Sequence, residues 1–165
     1  MLFSGVAWTQ CPLTLDYDIL EKAVEDAQIA PENKQGTAIG SALGLAVRRL
    51  SQTEAKSKVI VLLSDGRNNR GELDPLTAAQ LAKEYGIRVY TIGAGSPEST
   101  TIPGALFPVQ SEAIDEDMLK KVAGTTGGRY YLATDTDALM SAYKEINALE
   151  TTEIDLGDYY EFKEA

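Results

Sequence analysis

The sequence predicts an α/β fold, with a mostly parallel sheet and helices on both faces. Three observations lead there. The run Lys58-Val59-Ile60-Val61-Leu62-Leu63-Ser64 is apolar without alternation, the pattern of a strand covered on both faces. From Lys58 onward, strand-like and helix-like segments alternate, which implies right-handed crossovers between parallel strands. The helix-like segments show 3.6-residue apolar periodicity between recognisable start and stop signals.

The elements follow in order. Leu2 to Thr9 is apolar and aromatic with Gly5 interrupting it, so it reads as strand, turn and short strand, ended by Pro12. Asp16-Tyr17-Asp18 opens a helix with Ile19, Leu20, Ala23, Val24 and Ala27 on one face. Pro31 to Gly36 is a polar loop. Thr37 begins a second helix, whose buried stripe is Ile39, Leu43, Ala46, Val47 and Leu50. Its small residues Gly40, Ala42 and Gly44 suit close packing against a sheet. After the strand at 58–64, Asp65 to Asn69 is a turn cluster.

Asp74-Pro75 starts the next helix, with Asp at N-cap and Pro at N1, and Gly86 stops it after about Tyr85. Ile87 to Ile92 is a strand. Gly93 to Ala113 is a loop long enough to suggest a functional or variable insertion. Asp115 caps a helix to about Ala123. Arg129 to Leu132 is a short strand, and Thr136 to Leu149 a final helix. Residues 151–165 read as a C-terminal tail or linker.

Charge and residue balance exclude several functions. A chain of 165 residues suits one core. Its net charge of −10 opposes phosphate backbones and anionic membrane surfaces. Cations or basic protein patches fit better, and the same charge also serves solubility. Histidine is absent, which removes Ser-His and Cys-His catalysis and imidazole ligation. The lone Cys11 cannot form an intrachain disulfide and reads as a small buried hydrophobe. No apolar run reaches the length of a membrane span, and the first residues do not form a signal peptide.

Two places could carry chemistry. Thr37 follows Gly36 at a helix start, where its hydroxyl is either a plain cap or a ligand. Asp65 follows a buried parallel strand, where Asp-Gly is either turn chemistry or a ligand at the mouth of the sheet. Together they offer two hard oxygen donors at one edge, the kind that Mg²⁺ takes. Enzyme parts are missing: Gly93-Ala94-Gly95 runs into Ser96-Pro97-Glu98, Asp65 has no second carboxylate beside it, and Ser64 has no base. The chain therefore reads as a non-enzyme.

Gly36-Thr37-Ala38-Ile39-Gly40, followed by Val59-Ile60-Val61-Leu62-Leu63-Ser64-Asp65-Gly66, resembles the second and third loops of von Willebrand factor type A domains. Phe3-Ser4-Gly5, Thr9 to Thr14, Asp74 to Ala79 and Gly86 to Gly93 resemble the bacterial aerotolerance (Bat-type) branch. The resemblance implies a three-layer Rossmann-like fold, with residues 1–150 as a partial domain. It implies a metal-ion-dependent adhesion site in which Thr37 and Asp65 match the second and third loops. The cation would be Mg²⁺, or Mn²⁺ or Ca²⁺, with an acidic side chain of a protein partner completing it.

The first loop's Asp-x-Ser-x-Ser does not occur in this sequence, and Met1 to Gly5 matches the end of the family's second strand. A domain truncated at its N-terminus is therefore expected, with its sheet open where the first strand would lie. Such an edge invites a strand swap or homo-oligomer, unless the tail covers it. The implied function is a protein–protein interaction or scaffold module of the bacterial cell envelope, within a membrane-anchored protein. Arg67, Asn68 and Asn69 are read either as a solvated turn or as partner contacts. The alternatives are a metal-independent assembly domain and, less favoured, a metal-dependent hydrolase or nucleotide-binding enzyme.

Overall fold

The computed structural model describes residues 1–28, 30–31, 35–65, 67–95 and 114–161, with side chains described up to residue 151. The loop suspected of being an insertion falls almost wholly outside these residues. The elements are β1 (Leu2–Phe3), β2 (Ala7–Trp8), α1 (Tyr17–Glu25), α2 (Ile39–Ser51), β3 (Lys58–Ser64), α3 (Pro75–Glu84), β4 (Ile87–Ala94), α4 (Glu116–Thr125), β5 (Tyr130–Ala133) and α5 (Thr136–Glu161).

Aspartates start most of the helices as the sequence predicts. The carboxylates of Asp16, Asp74 and Asp115 accept the backbone N–H groups of Ile19, Thr77 and Met118 at 3.1, 2.9 and 3.1 Å. Each such cap contributes about 1 kcal/mol. Asp135 does the same for α5, accepting from Ala138 N–H at 2.8 Å. Helix α5 continues past Leu149 into the segment expected as a tail, reaching Glu161. The reason is local: neither Gly nor Pro occurs between Thr136 and Leu156, so nothing breaks the helix there.

Strands β3, β4 and β5 form a parallel sheet in that order, with Lys58 opposite Ile87 and Ser64 opposite Gly93. The hairpin β1–β2 is a separate antiparallel pair, Leu2 opposite Trp8. Among the described residues no strand joins the hairpin to this sheet, and β3 is the edge of the sheet that β3, β4 and β5 form.

Alternation along the strands sorts the core into two layers. Ile39, Leu43 and Val47 of α2, the alanines of α3, and Leu119 and Val122 of α4 pack with Leu62, Ile87 and Val89 on one face. Tyr90 and Ile92 turn to the other face, against Ala142 and Ile146 of α5. Helices thus lie on both faces of a parallel sheet, as expected. Each fully buried Ile or Leu contributes about 1.5–3 kcal/mol. Thr91 is buried too, and its hydroxyl donates to Leu119 O at 3.0 Å.

Two expectations are corrected. Strand β3 is not covered on both faces, since Val59 and Val61 are only partly buried and Leu63 is 39% exposed. One neighbouring strand and α5 do not cover the α5-side face of β3. Helix α1 forms with its apolar stripe, yet none of its residues is buried. Ile19, Leu20 and Val24 are exposed because no described element lies over that stripe. A side-chain periodicity reports which face a helix would bury, not whether anything packs on it.

Three tyrosines will make the fold sensitive to alkali. Burial, then the Glu116 carboxylate, pushes the Tyr130 phenol up to about 12, and its hydroxyl meets no hydrogen-bond partner among the described residues. Burial, then the hydrogen bond it donates to Glu150 at 2.6 Å, raises Tyr90. Burial also raises Tyr131. The folded state holds these protons more tightly than the unfolded chain, whose phenols titrate near 10. Their stabilisation is complete below about pH 10 and is lost as the pH rises towards 12. Urea midpoints measured from pH 8 to 12 should fall above pH 10, together with a late rise in tyrosinate absorbance. A flat midpoint through that window would contradict the assignment.

Candidate cation and partner-binding site

Strand β3 delivers Ser64, buried, and then Asp65, exposed, to the carboxyl edge of the sheet. The loop that follows crosses to the start of α2. The Asn69 Oδ1 accepts Thr37 N–H at 2.8 Å, while the Thr37 carbonyl accepts Asn69 N–H at 3.0 Å and Arg70 N–H at 3.2 Å. The Asn68 Oδ1 accepts Ile39 N–H at 2.8 Å and Gly40 N–H at 3.4 Å. The loop after Asp65 is therefore bonded directly to the segment that carries Thr37.

Thr37 is not the cap of α2. That position is Ala38, whose side chain can cap nothing, so the orphan N–H groups of the first turn need other acceptors. Asn68 supplies one. The Ser4 carbonyl, in the β1–β2 turn, supplies another by accepting Ala38 N–H at 2.7 Å. Three segments thus converge on one edge: the hairpin turn, the Thr37 loop and the Asp65 loop.

A close approach completes the arrangement. A methyl group on Gly40 would lie 1.8 Å from the Leu73 carbonyl oxygen, so only glycine lets α2 pack there. The next residue, Asp74, caps α3.

The sequence makes Thr37 and Asp65 candidates for the same edge, and the bonds from Asn69 and Arg70 to Thr37 join the segments that carry them. Sequence reasoning missed the roles of Ser4 and Asn68. The available signal was a predicted helix whose first turn lacks a capping side chain once Thr37 is placed one residue too early. Asn68 and Asn69 direct their side-chain oxygens inward, to α2 and Thr37. Arg67 and Arg70 are exposed.

The donor set is thin. Among the described residues no group of three His, Cys, Asp or Glu side chains comes together. Thr37 and Asp65 are two oxygen donors of the kind Mg²⁺ takes, fewer than the six of its octahedron. A recess of about 470 Å³ opens elsewhere, between the hairpin and the segment after α1, lined by Leu2, Val6, Trp8 and Asp26. It includes neither Thr37 nor Asp65.

Residues 1–145 match the sequence model of the von Willebrand factor type A domain. The chain belongs to that family. A protein of Mycolicibacterium paratuberculosis described as "UPF0353 protein" is 30% identical over 156 residues, which are 87% of this chain and 45% of the relative. The chain thus spans less than half the length of such curated relatives, including 43% of one from Borreliella burgdorferi.

Among solved structures, the conserved hypothetical protein BatB from Bacteroides thetaiotaomicron is 30% identical with a TM-score of 0.69, covering 90% of this chain and 77% of that one. An aerotolerance-related membrane protein from Bacteroides fragilis is 32% identical with a TM-score of 0.71, covering 88% and 74%. The mussel byssus proximal thread matrix protein 1, solved with a zinc-occupied MIDAS motif, shares the fold at 22% identity and a TM-score of 0.57, over 80% of this chain and 31% of its own. The Bat-type likeness stated from the residues therefore holds. Among the described residues no helix is long and apolar enough to cross a membrane.

Proposed function

We propose that this von Willebrand factor type A domain is a protein–protein interaction module of the bacterial cell envelope, binding its partner at the carboxyl edge of the sheet. The carrying observation is the convergence of the hairpin turn, the Thr37 loop and the Asp65 loop on that edge. Membrane-protein relatives of the Bat type support the location. Of the expected partner contacts Arg67, Asn68 and Asn69, Arg67 keeps that role here, since Asn68 and Asn69 turn their oxygens to Ile39 and Thr37. Thr37 and Asp65 reach the partner through a cation. The reading is of a binding module, not of an enzyme.

A divalent cation belongs to this reading as a bridge. Thr37 and Asp65 would hold it with water, and an acidic side chain of the partner would supply the missing charge. One carboxylate and one hydroxyl offset little of the dehydration of Mg²⁺, so the cation alone should bind weakly, with a Kd of about a millimolar or more. The thin donor set favours a second reading, a metal-independent assembly domain using the same edge.

Calorimetric titration with Mg²⁺ and Mn²⁺ separates the two. Saturable Mn²⁺ binding that weakens at least about tenfold in both Asp65→Ala and Thr37→Ala is the result expected of a bridging cation, about 1.4 kcal/mol by affinity arithmetic. No heat in a sample shown to be folded would remove the cation and leave the assembly domain. Light scattering on the same sample reads the oligomeric state, which β3, unpaired on one side among the described residues, makes pertinent.

A further inference from the structure

We propose that Asn68 and Asn69 are positioning residues: their carboxamide oxygens clamp the 37–40 segment and so fix where the Thr37 hydroxyl stands relative to Asp65. The inference rests on the binding edge proposed above and assigns these two side chains a different task from partner contact. They lie three and four residues after Asp65, so the bonds they make tie the chain that follows Asp65 to Thr37.

The division of labour is specific. Asn69 grips Thr37 itself, its Oδ1 accepting Thr37 N–H at 2.8 Å while its own N–H donates to the Thr37 carbonyl at 3.0 Å. This two-point contact holds Thr37 by the peptide groups on both its sides. Asn68 grips the next turn, taking Ile39 N–H at 2.8 Å. It replaces the cap that Ala38 cannot provide and that no acidic residue in the first turn of α2 supplements. A surface turn without a task would leave these oxygens to water. Instead, two consecutive asparagines satisfy N–H groups of a segment about thirty residues earlier in the chain, at the candidate ligand Thr37 and at the helix start just after it.

Two commoner explanations are weaker. A merely stabilising cap of α2 would need only Asn68, whereas Asn69 bonds Thr37 itself, ahead of the helix. Partner contact would need the oxygens outward, and they are turned in.

Amide hydrogen exchange by NMR tests the clamp on the whole chain. Asn68→Ala should speed exchange at Ile39 and Gly40, and Asn69→Ala at Thr37, by about fivefold to tenfold for one lost hydrogen bond. The core amides of Val89 and Ile92 should stay as slow as in the wild type. Asn68→Asp keeps an acceptor oxygen and should restore protection at Ile39. Mn²⁺ titrated into the same samples should bind more weakly in Asn69→Ala than in the wild type, with core exchange unchanged, which mere loss of stability cannot produce.

Unchanged exchange at 37–40 in both alanine variants would overturn the proposal. So would an equal rise throughout the core. If Asn68→Ala does not fold, Asn69→Ala and Asn68→Asp still decide. If the wild type binds no Mn²⁺, the cation reading fails, while the exchange pattern alone supports or overturns the clamp.

Discussion

Gly40→Ala is expected to cost about 3 kcal/mol or more, by the general cost of overpacking, and to disturb the binding edge as it does so. The added methyl would sit 1.8 Å from the Leu73 oxygen and 2.9 Å from the Asp74 carbonyl carbon. Backbone cannot rotate away as a side-chain tip can, so either α2 withdraws or residues 73–74 shift. Withdrawal would pull Ile39 and Gly40 off Asn68 and open the core contact of Leu43. A shift would displace Asp74, the cap of α3. For a chain of this size, thermal unfolding should move down by about 6–12 °C, at about 2–4 °C per kcal/mol. Gly44→Ala is the control on the same helix, because its methyl meets only the Leu73 Cδ2, the end of a flexible side chain, at 2.6 Å. A Gly40→Ala protein that melts with the wild type would show that the approach at Leu73 relaxes freely.

The contrast bears on how much the sequence reveals. Gly40 was legible as a small residue suited to close packing, but its neighbour is the backbone at Leu73 and Asp74, not the sheet that the sequence suggests. The Leu73 carbonyl lies far along the chain, and no periodicity encodes a backbone–backbone approach. Elements with local signals came through well. Asp74-Pro75, Asp115 and the apolar stripe of α2 each specify their helices by short-range chemistry, and the structure bears them out. Thr37 was placed at the cap because Gly-Thr is a familiar start; Ala38 holds that place because Asn68 caps from another loop.

Burial was harder to read than secondary structure. The run from Val59 to Leu63 signals a strand between layers, and α1 signals a face to bury, yet both stay partly or wholly uncovered. Coverage depends on what packs against a segment, which is information outside the segment. The places of Thr37 and Asp65 were legible for a related reason: strand ends and helix starts put side chains at the sheet edge by topology alone. Their mutual positioning, through Asn68, Asn69 and Ser4, is a long-range property and was not.

A second close approach separates fold from site. A methyl on Gly128 would lie 2.0 Å from the Val89 carbonyl oxygen and 3.3 Å from Tyr90 N. The turn between α4 and β5 presses directly on β4 there. Thr126 secures the same place, its hydroxyl accepting Val89 N–H at 2.9 Å, and the Arg129 carbonyl accepts Thr91 N–H at 3.1 Å where β5 joins the sheet. Gly128→Ala must lift that turn, so it is expected to cost about 3 kcal/mol or more and to loosen the β4–β5 pairing.

Gly124→Ala, one turn earlier, meets nothing within 4 Å and lies inside α4. It should stabilise by about 0.5–1 kcal/mol through helix propensity alone. Equal effects at 124 and 128 would mean that propensity, not contact, selects glycine in this turn. Val89 lies towards the start of β4, whereas Ser64 and Gly93 mark the binding edge at the other end. Gly128→Ala should therefore lower global stability while leaving the exchange contrast between residues 37–40 and the core unchanged. Gly40→Ala should alter both. The pair tells whether a loss of binding at the edge comes from a weakened fold or from a displaced Thr37.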